Sequence, residues 1–233
     1  MTQSPNGLLA ALPSNVFSAI APQLKTVALT FGDVLAEAGS PVRQVYFPYS
    51  GVISLVVELK FGMMIETAMV GRNGAFNATS ALDGKVSLNK AIVQMAGSAG
   101  TIEVNRLRRL ANELEAFRSL LIRHDQVLFA QSQQSAACNA SHSVEARMCR
   151  WLLYMRDLAG SDDLMLTQDF LAQMLSVRRP SVSIVASPLQ KAGVIKYSRG
   201  RIRLLTLRHY KNVPASATAR SRPTTSGFFR ASN

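Results

Sequence analysis

The spacing of apolar residues changes period twice along this chain. Runs at 27–30, 34–37, 45–47, 52–59, 63–70, 91–95 and 101–104 are short and rich in Val, Ile, Leu and Met. Nine of the 14 glycines lie between Gly32 and Gly100 and separate those runs. With clear turns at Gly39-Ser40-Pro41, Lys60-Phe61-Gly62 and Asn73-Gly74, the pattern predicts a sandwich, barrel or roll of short strands. Residues 8–24 predict short helices ahead of the first strand. From Thr101 to Ala159 glycine is absent and the spacing becomes helical. Phe117, Leu121, His124, Leu128, Gln131, Ser135 and Cys138 recur at alternating steps of four and three, apolar at the start and polar later. A core helix would be expected to stay apolar throughout, so the fade predicts a seam between two copies of the chain. A second helix is expected over 144–158, with Met148, Leu152 and Met155 at helical spacing and Trp151 beside them. Gly160-Ser161-Asp162-Asp163 ends it.

The next segment, 164–207, has the pattern of two short helices and a hairpin. Thr167 is a natural N-cap and Asp169 suits a first helical turn, so a helix is expected over 168–175. Ser176-Val177-Arg178 makes a tight turn. A second helix starts near Arg179, with Pro180 in its first turn, where the missing N–H costs little. Val182, Val185 and Leu189 give that helix a core stripe, and Gly193 ends it. Pro188 removes a backbone bond inside it and is expected to kink it. The runs 194–197 and 201–205 alternate about Ser198-Arg199-Gly200 as a small hairpin, with Ile202 and Leu204 on its apolar side.

Charge sharpens this picture. The chain has 233 residues, with 26 Lys and Arg against 14 Asp and Glu, a formal charge of +12. Between 164 and 210 there are eight basic residues and one acid, Asp169. The excess therefore coincides with the helix–turn–helix pattern, which favours a nucleic-acid surface over a merely solvated face. Arg178, Arg179, Ser181 and Ser183 line the front of the second helix. An Arg there can bond guanine O6 and N7 together. Thr167 and Gln168 at the first helix's start, and Arg199 and Arg201 in the hairpin, suit phosphate contacts. No run approaches the ~20 apolar residues of a membrane span. The N-terminus shows no secretory pattern, and the two cysteines, Cys138 and Cys149, have no metal-finger spacing. A soluble, cytoplasmic protein without a cofactor is expected. The tail 211–233 is basic, poor in apolar residues and expected to be disordered.

Leu166-Thr167-Gln168-Asp169-Phe170-Leu171-Ala172-Gln173-Met174-Leu175-Ser176-Val177-Arg178-Arg179-Pro180-Ser181-Val182 resembles the DNA-binding signature of the Crp/Fnr superfamily of bacterial transcription regulators. Gly32-Asp33-Val34-Leu35, Gly39, Val45-Tyr46-Phe47-Pro48, Gly51-Val52-Ile53-Ser54-Leu55 and Gly71-Arg72-Asn73-Gly74-Ala75-Phe76 resemble its β-roll. The resemblance implies an α+β fold with four parts. A cyclic-nucleotide-binding-like jelly roll spans 1–112 as the sensor, and a long dimerisation helix with hinge spans 113–142. A winged helix–turn–helix spans 143–210, followed by the tail. It also implies double-stranded DNA, a second copy of the chain and RNA polymerase as partners, with a small-molecule effector in the roll.

The departures from the family matter for that effector. In the cyclic-AMP branch a Glu binds the ribose hydroxyl and an Arg binds the cyclic phosphate. Here Thr79 stands at the Glu position and Asn89 near the Arg position, so the corresponding pocket is marked by Thr79, Ser80 and Asn89. The stretch 73–95 contains no Arg. A cyclic phosphate needs a placed counter-charge, so cyclic-AMP binding is not expected. Two cysteines are too few for the family's iron–sulfur cluster, and no histidine precedes His124. Pro180 and Ile184 replace a Glu and an Arg of the cyclic-AMP-type reading helix, while Arg179 matches, so a different operator is expected. Two competing readings are an effector-independent regulator with a vestigial sensor and a cupin-like enzyme. The second is weak, because residues 1–112 contain no histidine to hold a metal.

Overall fold

The computed structural model of the chain describes residues 4–60, 63–79, 82 and 86–205. Ser80 and the tail 211–233 lie outside the described residues. Among the described residues the chain divides into two compact units, one of 4–56 with 68–130, the other of 57–67 with 131–205.

In the first unit, α1 (Gly7–Ala10) and α2 (Ser14–Ile20) precede the strands. Asn6 is fully buried and caps α1, its Oδ1 accepting from the Leu9 amide at 3.1 Å. Its Nδ2 donates to the carbonyls of Pro48 and Gly74 at 2.8 and 2.9 Å. One short amide thus ties a helix start, a strand and the Gly74 loop together. The strands are β1 (Lys25–Leu29), β2 (Val34–Ala36), β3 (Gln44–Glu58), β4 (Met64–Val70) and β5 (Lys90–Glu103), in sheet order β1-β5-β3-β4 with β2 also paired to β5.

Two pairs of expected strands prove to be single long ones: 45–47 joins 52–59 as β3, and 91–95 joins 101–104 as β5. Gly51 has φ +80° and sits inside β3, where the register with β5 shifts repeatedly. A Cβ on Gly51 would strike the Met95 carbonyl, and one on Gly97 would strike the Ser50 backbone. These glycines serve close strand approach at a bulge rather than chain reversal. Alternation along β3 serves two cores. Val45 and Phe47 join α1 and α2, while Tyr46, Ile53 and Leu55 line the roll with Leu29, Val70, Phe76 and Val93.

A helix not expected from sequence, α3 (Val104–Glu113), follows β5 directly, capped by Glu103, whose Oε2 accepts from the Arg106 amide at 3.1 Å. Then comes α4 (Glu115–Ser141). Its stripe requires a correction, because it is taken up within the chain. Phe117 and Leu121 lie in the core with α1 and α2, and Leu128 packs on the roll interior. The polar members find partners of their own. His124 Nε2 lies 2.9 Å from both the amide nitrogen and the carbonyl oxygen of Ala75. In the second unit, Gln131 Oε1 accepts from Tyr154 Oη at 3.2 Å, and Ser135 Oγ accepts from Arg150 Nη2 at 3.2 Å. Cys138 is buried and accepts from Gln134 Nε2 at 3.2 Å. The stripe loses apolar character because these positions are hydrogen-bonded, which a spacing argument does not register.

Burial holds His124 below its usual value of 6.5, against the opposing pull of the Ala75 backbone and Asp125. The folded chain keeps it neutral, whereas the unfolded chain takes up a proton once pH falls through about 6.5. The associated stability is therefore complete above that pH and declines as pH falls below it. His124→Gln should lower the unfolding temperature at pH 7.5 and flatten its decline between pH 7 and pH 5 relative to wild type, as measured by thermal denaturation across that range.

Candidate nucleic-acid interface

The second unit builds its site from the helix after α4. Ser143 Oγ accepts from the Ala146 amide at 3.3 Å and starts α5 (Val144–Ala159), which Gly160 ends at φ +66°. Met148, Trp151, Leu152 and Met155 are buried as their spacing predicts. Trp151 Nε1 donates to Glu66 Oε1 at 2.6 Å, which supplies a partner for a buried carboxylate on β4. Residues 163–165, given no element of their own by the sequence, form a third wing strand, β6 (Asp163–Met165). Arg203 donates to both Asp163 oxygens at 2.8 and 2.7 Å across that pairing, and this holds the Asp163 carboxyl below its usual range.

Thr167 caps α6 (Gln168–Met174), its Oγ1 accepting from the Phe170 amide at 3.2 Å. The helix ends in a Schellman turn, Val177 N–H to Ala172 O at 2.9 Å and Ser176 N–H to Gln173 O at 3.1 Å. An α5 residue, Arg147, donates to the Leu175 carbonyl and holds this turn. Next comes α7 (Arg179–Lys191), with Pro180 in its first turn. Pro188 removes the N–H that would bond the Ile184 carbonyl, yet the helix runs on to Lys191 and Leu189 stays buried. Val182, Ala186 and Leu189 form the buried face.

The hairpin of β7 (Ile195–Ser198) and β8 (Arg201–Leu204) turns at Arg199 and Gly200, with φ +45° and +77°. Both positive angles mark a two-residue type I′ turn. Leu166 N–H donates to the Gly200 carbonyl at 2.8 Å, which seats the wing tip beside Thr167.

These contacts gather several of the expected residues on one edge. Gln168 Oε1 accepts from Ser183 Oγ at 2.9 Å, and Arg179 Nε stands 3.6 Å from Asp169 Oδ1. Arg178 and Arg179 are exposed at the head of α7, and Ser181 and Ser183 are half-buried behind them. Thr167 and Arg199 flank the group. Arg201 departs from it. It lies on the outer face of the wing sheet with Lys196 and Arg203, around a hollow of about 400 Å³ that Asp163, Met165, Ser198 and Arg199 also line. Ile184, noted from the sequence as a departure from the cyclic-AMP-type reading helix, is 71% exposed on α7.

The residues marked for an effector do not assemble comparably. Thr79 Oγ1 donates to Asp125 Oδ1 at 2.7 Å on an exposed part of α4. The Asn89 carbonyl accepts from Ser87 Oγ at 2.9 Å. The roll interior is instead apolar, with Phe76 and Tyr46 rings 6.2 Å apart, and among the described residues no Lys or Arg is buried.

Ser176 occupies the turn between α6 and α7 at φ +51°, a conformation that costs a side-chain-bearing residue energy and glycine nothing. Ser176→Gly should therefore raise stability by roughly 0.5–1 kcal/mol, as read from chemical denaturation.

Comparison with known proteins agrees with this construction. Residues 146–209 match the model of the Crp-like helix-turn-helix domain. A CRP-family transcriptional regulator from Thermus thermophilus superposes with a TM-score of 0.67 at 23% identity, over 80% of this chain and 95% of that one. FixK2 from Bradyrhizobium japonicum gives 0.71 at 16% identity, over 82% and 96%. The c-di-GMP responsive global regulator CLP from Xanthomonas campestris gives 0.69 at 13%, over 83% and 100%. No curated protein matches the sequence. Residues 146–209 thus match the Crp-like helix-turn-helix domain, and the chain as a whole shares the fold of these solved structures.

Proposed function

We propose that this chain is a homodimeric, sequence-specific DNA-binding regulator of transcription that acts with RNA polymerase in the cytoplasm and whose β-roll takes no cyclic AMP. The observation that carries the reading is the edge itself. Arg178, Arg179 and Ser183 at the head of α7 stand with Thr167 and Gln168 at the head of α6 and with the wing tip. In a duplex, α7 enters the major groove, Arg179 bonds a guanine, and Thr167 and Arg199 contact phosphates. The apolar roll interior and the lack of buried cations among the described residues support the part of the reading that excludes a cyclic phosphate.

The same apolar interior favours a second reading, in which DNA binding needs no effector at all. Affinity for DNA that is unchanged across a ligand screen supports it.

With the original stripe buried, dimerisation falls to the opposite face of α4. Ile122 and Phe129, seven residues apart, are 43% and 64% exposed there. A dimer is what two half-sites ~34 Å apart, one turn of DNA, would require.

Two measurements test this reading. In footprinting and titration on a selected promoter site, Arg179→Ala should lose ~10- to 100-fold in affinity for that site and relax the choice of base at one position per half-site. Arg199→Ala should weaken all duplexes alike and reduce the slope of log affinity against log salt by about one. For the assembly, Phe129→Asp should convert the dimer to monomer in analytical ultracentrifugation while leaving the far-ultraviolet circular dichroism unchanged.

A further inference from the structure

The outward surface of α7 is unusual for a helix that carries a basic head. Ile184 is 71% exposed, and Pro180 and Pro188, four residues before and after it, are exposed as well. At that spacing the three lie along one row of the helix, with the exposed Ser187 beside them. The row adjoins the one bearing Arg179 and Ser183 and lies opposite the buried Val182, Ala186 and Leu189. A lone exposed isoleucine calls for no explanation. Here it is part of an apolar row on a helix that has no acidic residue and begins with Arg178 and Arg179. That combination fits a surface both anionic and locally apolar, which is the major groove where it carries a thymine methyl.

We propose that Ile184 is a specificity-determining residue that recognises the C5-methyl group of a thymine within about two base-pair steps of the base bonded by Arg179. The inference rests on the DNA-binding reading above and names what part of that site selects. Thymine alone among the four bases presents a methyl in the major groove. Ile184 has no side-chain donor or acceptor, so against adenine, guanine or cytosine it desolvates base-edge polar atoms and returns no hydrogen bond. The contact thus favours thymine and disfavours its competitors. The rigid rings of Pro180 and Pro188 extend the row with little side-chain entropy to lose on binding. Arg179 and Ile184 divide recognition between them, one by paired hydrogen bonds and one by shape and apolar contact.

The test begins with the full chain selecting duplexes from a random pool. Each thymine of the selected site is then replaced in turn by deoxyuridine, which removes only the methyl. One thymine in each half-site should prove sensitive, its replacement weakening wild-type binding about fourfold, the equivalent of one buried methyl. Ile184→Ala should be indifferent to that replacement, while Ile184→Val, which keeps branched methyls, should remain sensitive. At the same position, 5-methylcytosine should be bound better than cytosine by wild type and no better by Ile184→Ala. A selected site with no deoxyuridine-sensitive thymine overturns the inference, as does equal sensitivity in Ile184→Ala. If such a site is still weakened by Arg179→Ala, only the role of Ile184 fails. If the chain selects no sequence, the regulator reading fails, and the inference fails with it.

Discussion

The amide of Leu166 donates to the carbonyl of Gly200, 2.8 Å away, and the placement of the reading edge depends on this backbone bond. It fixes the wing tip against the residue that caps α6. The Thr167 cap in turn sets where α6 begins, and Gln168 at that point holds Ser183 of α7. A helix–turn–helix without such a brace presents two helices whose separation depends on apolar packing alone. Here hydrogen bonds link three elements at the edge proposed to face a duplex, and Arg147 holds the turn behind them through the Leu175 carbonyl. Preorganisation of this kind reduces the ordering cost of binding.

The long helix α4 shows how one element can serve several neighbours. Its stripe from Phe117 to Leu128 closes the roll, and the polar positions after it engage α5. A helix packed along one face still presents another, and Ile122 and Phe129 make that second face apolar. A dimer built there leaves the buried hydrogen bonds of His124 and Ser135 intact. A dimer built on the stripe itself would have to break them and strand the Ala75 and Arg150 donors.

The succession of roll, long helix and winged helix was legible in the sequence, because glycine spacing, helical periodicity and charge each change at different points. The turn at Ser176, the start of α7 and the hairpin about Arg199 were legible because capping and turn chemistry are local. The features missed depend on partners distant in sequence. Gly51 and Gly97 look like turn residues until each is seen against the other strand. Residues 163–165 have no strand signature of their own and become β6 through pairing with β8, where Arg203 meets Asp163. Asn6 gave no signal, although its side chain joins three segments. The α4 stripe misled because a heptad that fades from apolar to polar points to a seam between copies, whereas each polar residue has a partner within its own unit.

The pairing of Arg179 with Asp169 bears on how the edge can choose among sequences. Both groups are largely exposed and 3.6 Å apart, so the pair adds little stability. It places the guanidinium beside the first turn of α6. A guanine offers two acceptors in a plane that suits a guanidinium, and Arg179 can exchange one weak partner for that bidentate one at small cost. A backbone phosphate offers charge without that match, and it also meets the carboxylate of Asp169. In the proposed complex the acidic neighbour would therefore penalise phosphate more than base. On the proposed reading, an edge with both arginines unopposed would bind any duplex tightly, and the single acid among the basic residues of 164–210 would shift the balance from affinity towards discrimination.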